Sequence, residues 1–222
     1  MGLKDLVHRH RGLDPRLWLQ RLTSLRPREQ RRAEWERSYA GEGDPYGYEL
    51  GGYDLARYQR MLDMLGDRRF RRALDMGCSV GVLSELLAPR CDELVAVDIS
   101  GAAVARARER LSGYGHVAVE RRTLPAEIPD GPFDLIVCAD VAEYWDRGSR
   151  LRAIRSIEDR LAPDGVLLAS FWRPYTASHV QPGDAAAGIL RRRSHLRRVS
   201  GWIGPKHRLE RYEAGPPRPR GG

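Results

Sequence analysis

The chain contains 222 residues with a formal net charge of +8, and this length suits one α/β domain with a terminal extension. It has no apolar stretch of about 18 residues and no signal-peptide pattern at its N-terminus, so we expect a cytoplasmic protein without a transmembrane segment. The three cysteines form no metal-ligand spacing, and their odd count fits reduced thiols, so we expect no metal site.

The positive charge lies at the two ends of the chain. Residues 1–40 carry a net charge of +5 and residues 190–222 carry +8, whereas residues 41–189 carry −5. Of the 38 basic residues, 36 are arginine, a bias typical of a GC-rich genome. An acidic central region therefore argues against a nucleic-acid substrate.

The first 43 residues are predicted to be helical. Asp14 and Pro15 are typical of a helix N-cap and first position. A second, mostly polar helix is predicted from Pro27 to about Tyr39, with Trp35 as its one large apolar side chain. We interpret residues 1–43 as a helical extension that forms a lid over the acceptor. Deleting it should then raise the acceptor KM and leave cofactor affinity nearly unchanged.

Strand and helix patterns alternate through the central region, and Ser100 is expected to cap one of the helices. Helices are predicted near residues 53–65, 83–88, 100–113 and 151–161. Strands are predicted near residues 73–75, 94–98, 117–119, 133–139 and 166–171, followed by a hairpin at 196–202 and 207–212. This order predicts a doubly wound, mostly parallel, seven-stranded Rossmann-like sheet in a domain spanning residues 44–213. The Pro/Gly-rich tail, residues 214–222, is expected to be disordered.

The most informative segment is the turn Asp75-Met-Gly77-Cys-Ser-Val-Gly81, which joins the first strand to a helix. The next strand ends at Asp98, whose carboxylate can accept both hydroxyls of a ribose. Open α/β sheets bind nucleotides at such strand ends, and Gly77 and Gly81 let the backbone approach a ligand closely. The turn lacks the Gly-x-Gly-x-x-Gly and Gly-Lys-Ser/Thr patterns of pyrophosphate and P-loop sites. Asp75 suits a cationic ligand, so we predict a nucleoside cofactor that carries a sulfonium or ammonium.

The turn resembles motif I of class I S-adenosylmethionine (SAM)-dependent methyltransferases. A longer series resembles, in order, the nodulation protein S family, which N-methylates the free amino sugar of a deacetylated chitooligosaccharide. The residues are Asp44-Pro45-Tyr46, Arg57, the 75–81 turn, Leu87-Ala88-Pro89, Phe133-Asp-Leu-Ile-Val137, Asp140-Val141, Tyr144 and Leu161-Ala-Pro-Asp-Gly165. The resemblance covers roughly residues 44–190 and implies SAM as the cofactor.

The resemblance also implies which residues bind SAM. Gly77 lies near the methionyl end, Asp98 near the ribose and Leu124 near the adenine edge. Thr123 stands where many relatives have an acid, so a contact with the adenine amino group does not carry over. The predicted set is Tyr46, Arg57, Asp75, Gly77, Cys78, Gly81, Asp98, Ile99, Thr123, Leu124 and Ala139. Arg57 is expected to pair with the cofactor carboxylate; a solvated helix position is its alternative.

The acceptor chemistry is predicted from two side chains. In-line positioning can supply about 7–11 kcal/mol, but the nucleophile needs a free lone pair. Deprotonating an alkylamine at pH 7 costs about 4 kcal/mol, and less for an amino sugar. We predict that Asp140 orients the amine and that His179 is the general base. A helix N-cap is the alternative role for Asp140, and an ordinary surface histidine for His179.

Other side chains are weaker predictions for the acceptor site. Glu143 is a reserve carboxylate. Aromatic side chains at Tyr46, Tyr144, Trp145 and Trp172 suit either stacking on sugar rings or the protein core.

The leading hypothesis is an SAM-dependent N-methyltransferase acting on an amino sugar, in an oligosaccharide or a glycosylated metabolite. An O-methyltransferase of phenolic natural products, with His179 as base, is the alternative. A nucleic-acid methyltransferase ranks third, because Ala139-Asp-Val-Ala replaces the Asn/Asp-Pro-Pro-aromatic pattern of amino-methylating DNA enzymes. A catalytically inactive SAM-binding partner is the remaining alternative.

Overall fold

A computed structural model of the chain describes residues 28–215, apart from residues 43, 175, 177 and 178. The helix predicted near Asp14 and the tail from residue 216 onward lie outside the described residues. Among the helices of the described part, none is both long and apolar enough to cross a membrane.

Helices and strands alternate along the described chain. The helices are α1 (Arg28–Glu42), α2 (Tyr53–Asp63), α3 (Val82–Leu87), α4 (Gly101–Arg110), α5 (Arg147–Arg160) and α6 (Gly183–Arg193). The strands are β1 (Phe70–Met76), β2 (Cys91–Asp98), β3 (Val117–Arg121), β4 (Phe133–Ala139), β5 (Leu161–Trp172), β6 (Arg197–Ile203) and β7 (His207–Glu213). Short 3-10 turns occupy Tyr48–Leu50, Ala88–Arg90 and Ala142–Tyr144.

The strands form one seven-stranded sheet in the order β3-β2-β1-β4-β5-β7-β6. Strands β1 to β5 are parallel, and β7 runs antiparallel to both β5 and β6. The predicted Rossmann-like methyltransferase sheet with its terminal antiparallel pair is therefore confirmed. Strand order reverses between β1 and β4, and such a switch point opens a crevice at the carboxyl ends of the strands.

Both faces of the central strands are buried, which explains the nearly continuous apolar run in β4. One core layer packs Leu74 and Ile136 of the sheet against Ile154 of α5 and Leu190 of α6. On the opposite face of the sheet, a second core layer packs the strands against α2 and α3. The predicted cap is confirmed, since the Ser100 hydroxyl accepts a hydrogen bond from the Ala103 amide at 3.2 Å.

Two elements differ from the sequence prediction. Helix α6 was not predicted, because its buried face is made largely of small residues, including Ala186 and Ala187, rather than a periodic apolar stripe. Strand β5 begins at Leu161, before the predicted residue 166, and its pairing with β4 shifts register there. Asp164 lies in this irregular segment with a φ of 61°. The residues Asp164 and Gly165, which are typical of a turn, therefore form a bulge inside the strand.

The close contact between α6 and β5 gives a test of this packing. A Cβ added at Gly183 would lie 2.3 Å from the Trp172 carbonyl oxygen, whereas one at Gly188 would meet mainly the flexible end of Arg192. We expect Gly183→Ala to lower the free energy of unfolding by about 1–3 kcal/mol, since backbone must shift. Gly188→Ala should be neutral or stabilising by up to about 1 kcal/mol. Urea unfolding of both variants checks this, and equal effects would contradict the packing.

Candidate active site

A cleft opens at the carboxyl ends of the central strands. Its empty space is about 930 Å³, including the part open to solvent. The predicted site residues that line it are Tyr46, Gly77, Asp98, Ile99, Thr123, Leu124, Ala139 and Asp140. The structure thus brings most of the predicted set together at one surface.

The backbone of the glycine-rich turn is held against β2. The amides of Gly77 and Cys78 donate to the Val97 carbonyl oxygen at 2.8 and 3.0 Å. Gly77 has a φ of 83°, and a Cβ there would lie 2.4 Å from Cγ2 of Val141. Glycine is therefore required at this position by conformation and by space, and the turn lies directly against the segment that follows β4.

Two members of the turn lie off the cleft. Gly81 has a φ of 84°, and its backbone packs closely on Ala107 of α4. Cys78 is buried, and its thiol is 3.7 Å from the Ser79 carbonyl oxygen. These two residues pack against the protein interior rather than lining the cleft. Their predicted contacts with the methionine and ribose of the cofactor remain predictions.

Asp98 is held at the end of β2 by backbone amides. Its two carboxylate oxygens accept from the Ser79 amide at 3.0 Å and the Ser100 amide at 2.9 Å. Burial raises the pKa of Asp98 above its usual range, although these amides act in the opposite direction. Each oxygen has a further lone pair, and Asp98 lines the cleft, so the carboxylate can accept ribose hydroxyls.

Asp75 is not among the residues that line the cleft. Its Oδ2 accepts a hydrogen bond from the Ser84 hydroxyl of α3 at 2.6 Å, and the side chain is buried. Burial raises the pKa of Asp75 to about 6. The carboxyl group therefore fixes α3 to the end of β1, and its predicted place beside a sulfonium remains a prediction.

Helix α1 closes the end of the cleft near Asp98. Oε2 of Glu36 accepts from the Gly101 amide at 2.7 Å, and Oε1 accepts from the Ala102 amide at 3.1 Å. The Tyr39 hydroxyl donates to Oγ of Ser79 at 2.8 Å. Sequence analysis did not identify these contacts. Helix α1 is therefore fixed to the part of the cleft beside Asp98, while its predicted role as a lid over the acceptor remains a prediction.

Aromatic side chains form one wall of the cleft. The Trp35 ring meets Tyr144 edge-on with centroids 5.0 Å apart, and Tyr46 stacks on Tyr48 at 5.2 Å. The hydroxyls of Tyr46 and Tyr144 are 3.3 Å apart. Trp172, also considered for sugar stacking, lies off the lining. This wall joins α1 to the segment after β4 and offers flat apolar surface to a ligand.

Asp140 lines the cleft immediately after β4, in a left-handed conformation with a φ of 54°. Its Oδ1 accepts from the Ser170 hydroxyl at 2.8 Å. Its Oδ2 lies 2.7 Å from Nη1 of Arg57 and 3.2 Å from Nε2 of His207. Burial opposes ionisation, but Arg57 and His207 prevail and hold the pKa of Asp140 at about 2. The group is therefore a fixed anion.

The structure gives Arg57 different partners from the predicted one. The side chain is 3% exposed and lies off the cleft lining. Its guanidinium pairs with Asp140 and, at 2.9 Å, with Asp54, and it donates to the Ser170 hydroxyl at 3.0 Å. Two carboxylates therefore balance its charge, and its contact with a cofactor carboxylate remains a prediction.

His179 is buried beside the cleft. Its ring meets Tyr144 edge-on at a centroid distance of 4.8 Å, and its Nδ1 has no hydrogen-bond partner among the described residues. Burial lowers the pKa of His179 to about 4, so the imidazole is neutral at pH 7. It keeps a free lone pair, but Tyr144 rather than His179 lines the cleft. The role of general base remains a prediction.

The reserve carboxylate, Glu143, has a structural place. It is fully buried, and its Oε1 accepts from the Trp172 amide at 2.6 Å. Burial, assisted by the neighbouring Asp140, raises the pKa of Glu143 well above its usual range. Among the described residues, no group of three or more His, Cys, Asp or Glu is arranged to hold a metal ion.

Comparison with known proteins identifies the family. The model of the family "Nodulation protein S (NodS)" matches residues 31–181, well over half of the chain. The chain belongs to the nodulation protein S family. The resemblance predicted from the sequence is confirmed, and the match extends into α1.

Individual relatives agree with this assignment. Nodulation protein S of Bradyrhizobium diazoefficiens is 34% identical over 127 residues, which cover 56% of this chain and 61% of that protein. The Azorhizobium caulinodans protein is 27% identical over 72% of this chain and 81% of its own length. The chain thus spans about three fifths of the length of the first of these relatives.

A solved structure supports the fold over a longer range. The N-methyltransferase NodS of Bradyrhizobium japonicum, in complex with S-adenosylhomocysteine, aligns with a TM-score of 0.74 and 26% identity. The alignment covers 82% of this chain and 97% of that one.

The contacts of Glu36 predict an effect on the cofactor rather than on the acceptor alone. Glu36→Ala leaves two amides of α4 without their carboxylate, and loss of such a cap costs about 1 kcal/mol. We expect SAM affinity, measured by calorimetry, to fall about fivefold. Arg37→Ala, on the exposed face of the same helix, is the control. Unchanged affinity in Glu36→Ala would show that α1 is a lid over the acceptor only.

The buried neutral state of His179 predicts a pH effect on stability. Between about pH 6.5 and 4, the unfolded chain binds a proton that the folded protein excludes, so stability falls as the pH is lowered. From pH 7 to about pH 4.5, the wild type should lose about 2 kcal/mol more than His179→Gln. Urea unfolding at both pH values measures this difference. Parallel losses would mean that the folded protein admits the proton.

Proposed function

We propose that the chain transfers a methyl group from SAM to the amine nitrogen of an amino sugar. One observation carries the choice of nitrogen: an ionised, buried carboxylate, Asp140, lines the cleft beside the glycine-rich turn.

The cleft residues suit SAM. Asp98 offers lone pairs to the ribose hydroxyls, while Ile99 and Leu124 offer apolar surface to the adenine. The missing side chain at Gly77 leaves the backbone open to close approach. S-adenosylhomocysteine bound to the Bradyrhizobium japonicum relative supports the same cofactor here. SAM supplies an electrophilic methyl group on a sulfonium.

The charge of Asp140 favours an amine. Methylation moves a positive charge onto the accepting nitrogen, and a fixed carboxylate nearby stabilises that charge as it develops. A phenolic acceptor would react as an anion, which the same carboxylate repels. With Arg57 balanced by Asp54 as well as by Asp140, this group of three carries a net negative charge. The geometry therefore argues against the phenolic alternative.

The sugar is supported by the aromatic wall and by the family. Trp35, Tyr46 and Tyr144 present ring surface on the cleft, as stacking on a sugar ring requires. The same surface would accept other flat ligands, so the family assignment is what favours a deacetylated oligosaccharide over a smaller amino-glycoside.

The direct test uses labelled SAM and two matched chitooligosaccharides, one with a free terminal amine and one fully N-acetylated. We expect label on the free-amine compound alone. Label on neither, with SAM binding confirmed by calorimetry, would rule out this acceptor. Label on phenols and not on amines would favour the alternative reaction.

Replacing Asp140 tests the choice of nitrogen. Asp140→Asn keeps the shape but removes the charge, and should lower kcat about 100- to 1,000-fold with little change in SAM affinity. Asp54→Asn is the matched control, because it removes the other carboxylate of Arg57 from outside the cleft lining. A full rate in Asp140→Asn would contradict an electrostatic role.

A further inference from the structure

The donors around Asp140 divide unequally between its two carboxylate oxygens. Oδ2 lies 2.7 Å from Nη1 of Arg57 and 3.2 Å from Nε2 of His207, whereas Oδ1 accepts from the Ser170 hydroxyl at 2.8 Å. Each carboxylate oxygen offers about two lone-pair sites to donors. Among the described residues, both sites of Oδ2 are therefore occupied, and one site of Oδ1 stays open to a ligand.

The contact with Asp140 fixes which ring nitrogen of His207 carries a hydrogen. Although burial opposes ionisation, Arg57 and His207 hold the pKa of Asp140 at about 2, so the carboxylate can only accept hydrogen bonds at pH 7. Nε2 must therefore carry a hydrogen. Nδ1 lies 3.1 Å from the Tyr53 hydroxyl, which donates to it when the imidazole is neutral. The ring thus presents a constant N–H donor to Oδ2.

Two aromatic neighbours hold the His207 ring in this orientation. The ring stacks on Tyr53 with centroids 5.5 Å apart, and Trp172 meets it edge-on at 4.9 Å. His207 is 1% exposed and begins β7, whose register places it opposite Trp172 of β5. The imidazole therefore cannot turn Nε2 away from Asp140 unless these neighbours also move.

The occupied sites of Asp140 matter because methyl transfer depends on where the nitrogen lies. The nitrogen must meet the methyl group in line with the breaking C–S bond, and a misplacement of about 1 Å can cost about 100-fold in rate. If one site on Oδ2 were vacant, an amine could bind the carboxylate through either oxygen. Only one of these two positions would place the nitrogen correctly for the transfer.

We propose that His207 is a positioning residue that occupies the second site of Oδ2, so that the acceptor amine donates its N–H to Oδ1 of Asp140; the inference rests on the proposed N-methylation. His207 does not touch the acceptor, and it keeps the same hydrogen on Nε2 throughout the reaction. It acts through Asp140, because filling Oδ2 leaves the amine one place to bind the carboxylate.

Two substitutions separate the donated hydrogen from the space that the ring fills. His207→Gln can place an amide N–H near the position of Nε2, whereas His207→Phe keeps an aromatic ring without a donor. With the free-amine chitooligosaccharide at pH 7, we expect kcat to fall about 100-fold in His207→Phe and to stay within about fivefold of wild type in His207→Gln. Acceptor KM should not rise in either variant, because Asp140 keeps its charge, and SAM affinity should stay within about twofold.

A second histidine provides the control. His116 is partly buried, and its Nε2 lies 2.9 Å from the Ala88 carbonyl oxygen, away from the residues that line the cleft. His116→Phe should leave kcat unchanged. Equal kcat in His207→Phe and His207→Gln, whether full or reduced, would overturn the positioning role, since the donated hydrogen would then make no difference.

A spectroscopic measurement tests the same contact in the full wild-type chain, without an acceptor and whether or not His207→Phe folds. With 15N-labelled histidine, we expect Nε2 of His207 to carry a hydrogen that exchanges slowly with water, and we expect Asp140→Asn to shift its 15N signal. A bare Nε2 would overturn the inference whatever the acceptor is. If the hydrogen is present but the wild type leaves the amine unlabelled, the proposed function fails and only the hydrogen bond from His207 to Asp140 stands.

Discussion

The end of the cleft around Asp140 depends on one buried ion pair, Arg57 with Asp140 at 2.7 Å. A carboxylate taken out of water is stable only if its partners compensate it, and breaking such a pair typically costs about 3–5 kcal/mol. The compensation comes from α2 through Arg57, from β5 through Ser170 and from β7 through His207. The left-handed backbone at Asp140, tolerated best by glycine, Asp and Asn, aims the group back at these three elements. The antiparallel hairpin at the end of the sheet is therefore part of the site.

The part of the cleft around the glycine-rich turn and Asp98 is built differently, mainly from backbone. Strand ends and the glycine-rich turn hold Asp98 through amides, and the turn is fixed to β2 by the Val97 carbonyl. Glu36 of α1 reaches the first amides of α4, and the anion suits the positive end of that helix. Because these contacts involve main-chain groups, they tolerate substitution of many surrounding side chains. This part of the cleft is consequently the one that a short sequence pattern can identify.

This difference between side-chain pairs distant in sequence and local backbone contacts explains what could be predicted from the sequence. Strand and helix periodicity, the glycine turn and Asp98 are local signals, and they led to the sheet and to most of the cleft lining. Arg57 was predicted as a site residue, but its ion pair with Asp140 was not predicted, because the two residues are far apart in sequence and no local pattern links them. His207 was not predicted, since only the register of β7 against β5 brings it beside Asp140. Helix α6 was missed because small residues pack by close approach instead of by an apolar stripe.

The negative charge of Asp140 limits which kinds of methyl acceptor the cleft favours. A buried carboxylate whose pKa is held at about 2 is too weak a base to store a proton at neutral pH, yet it stabilises any cation placed against it. An amine benefits twice, first as a bound ammonium and then as the methylated product, while a phenolate is repelled throughout. Binding of the ammonium by Asp140 also raises the barrier to methyl transfer, because it stabilises the protonated amine, which cannot react. An acceptor amine held by this charge must therefore lose a proton before its nitrogen can take the methyl group.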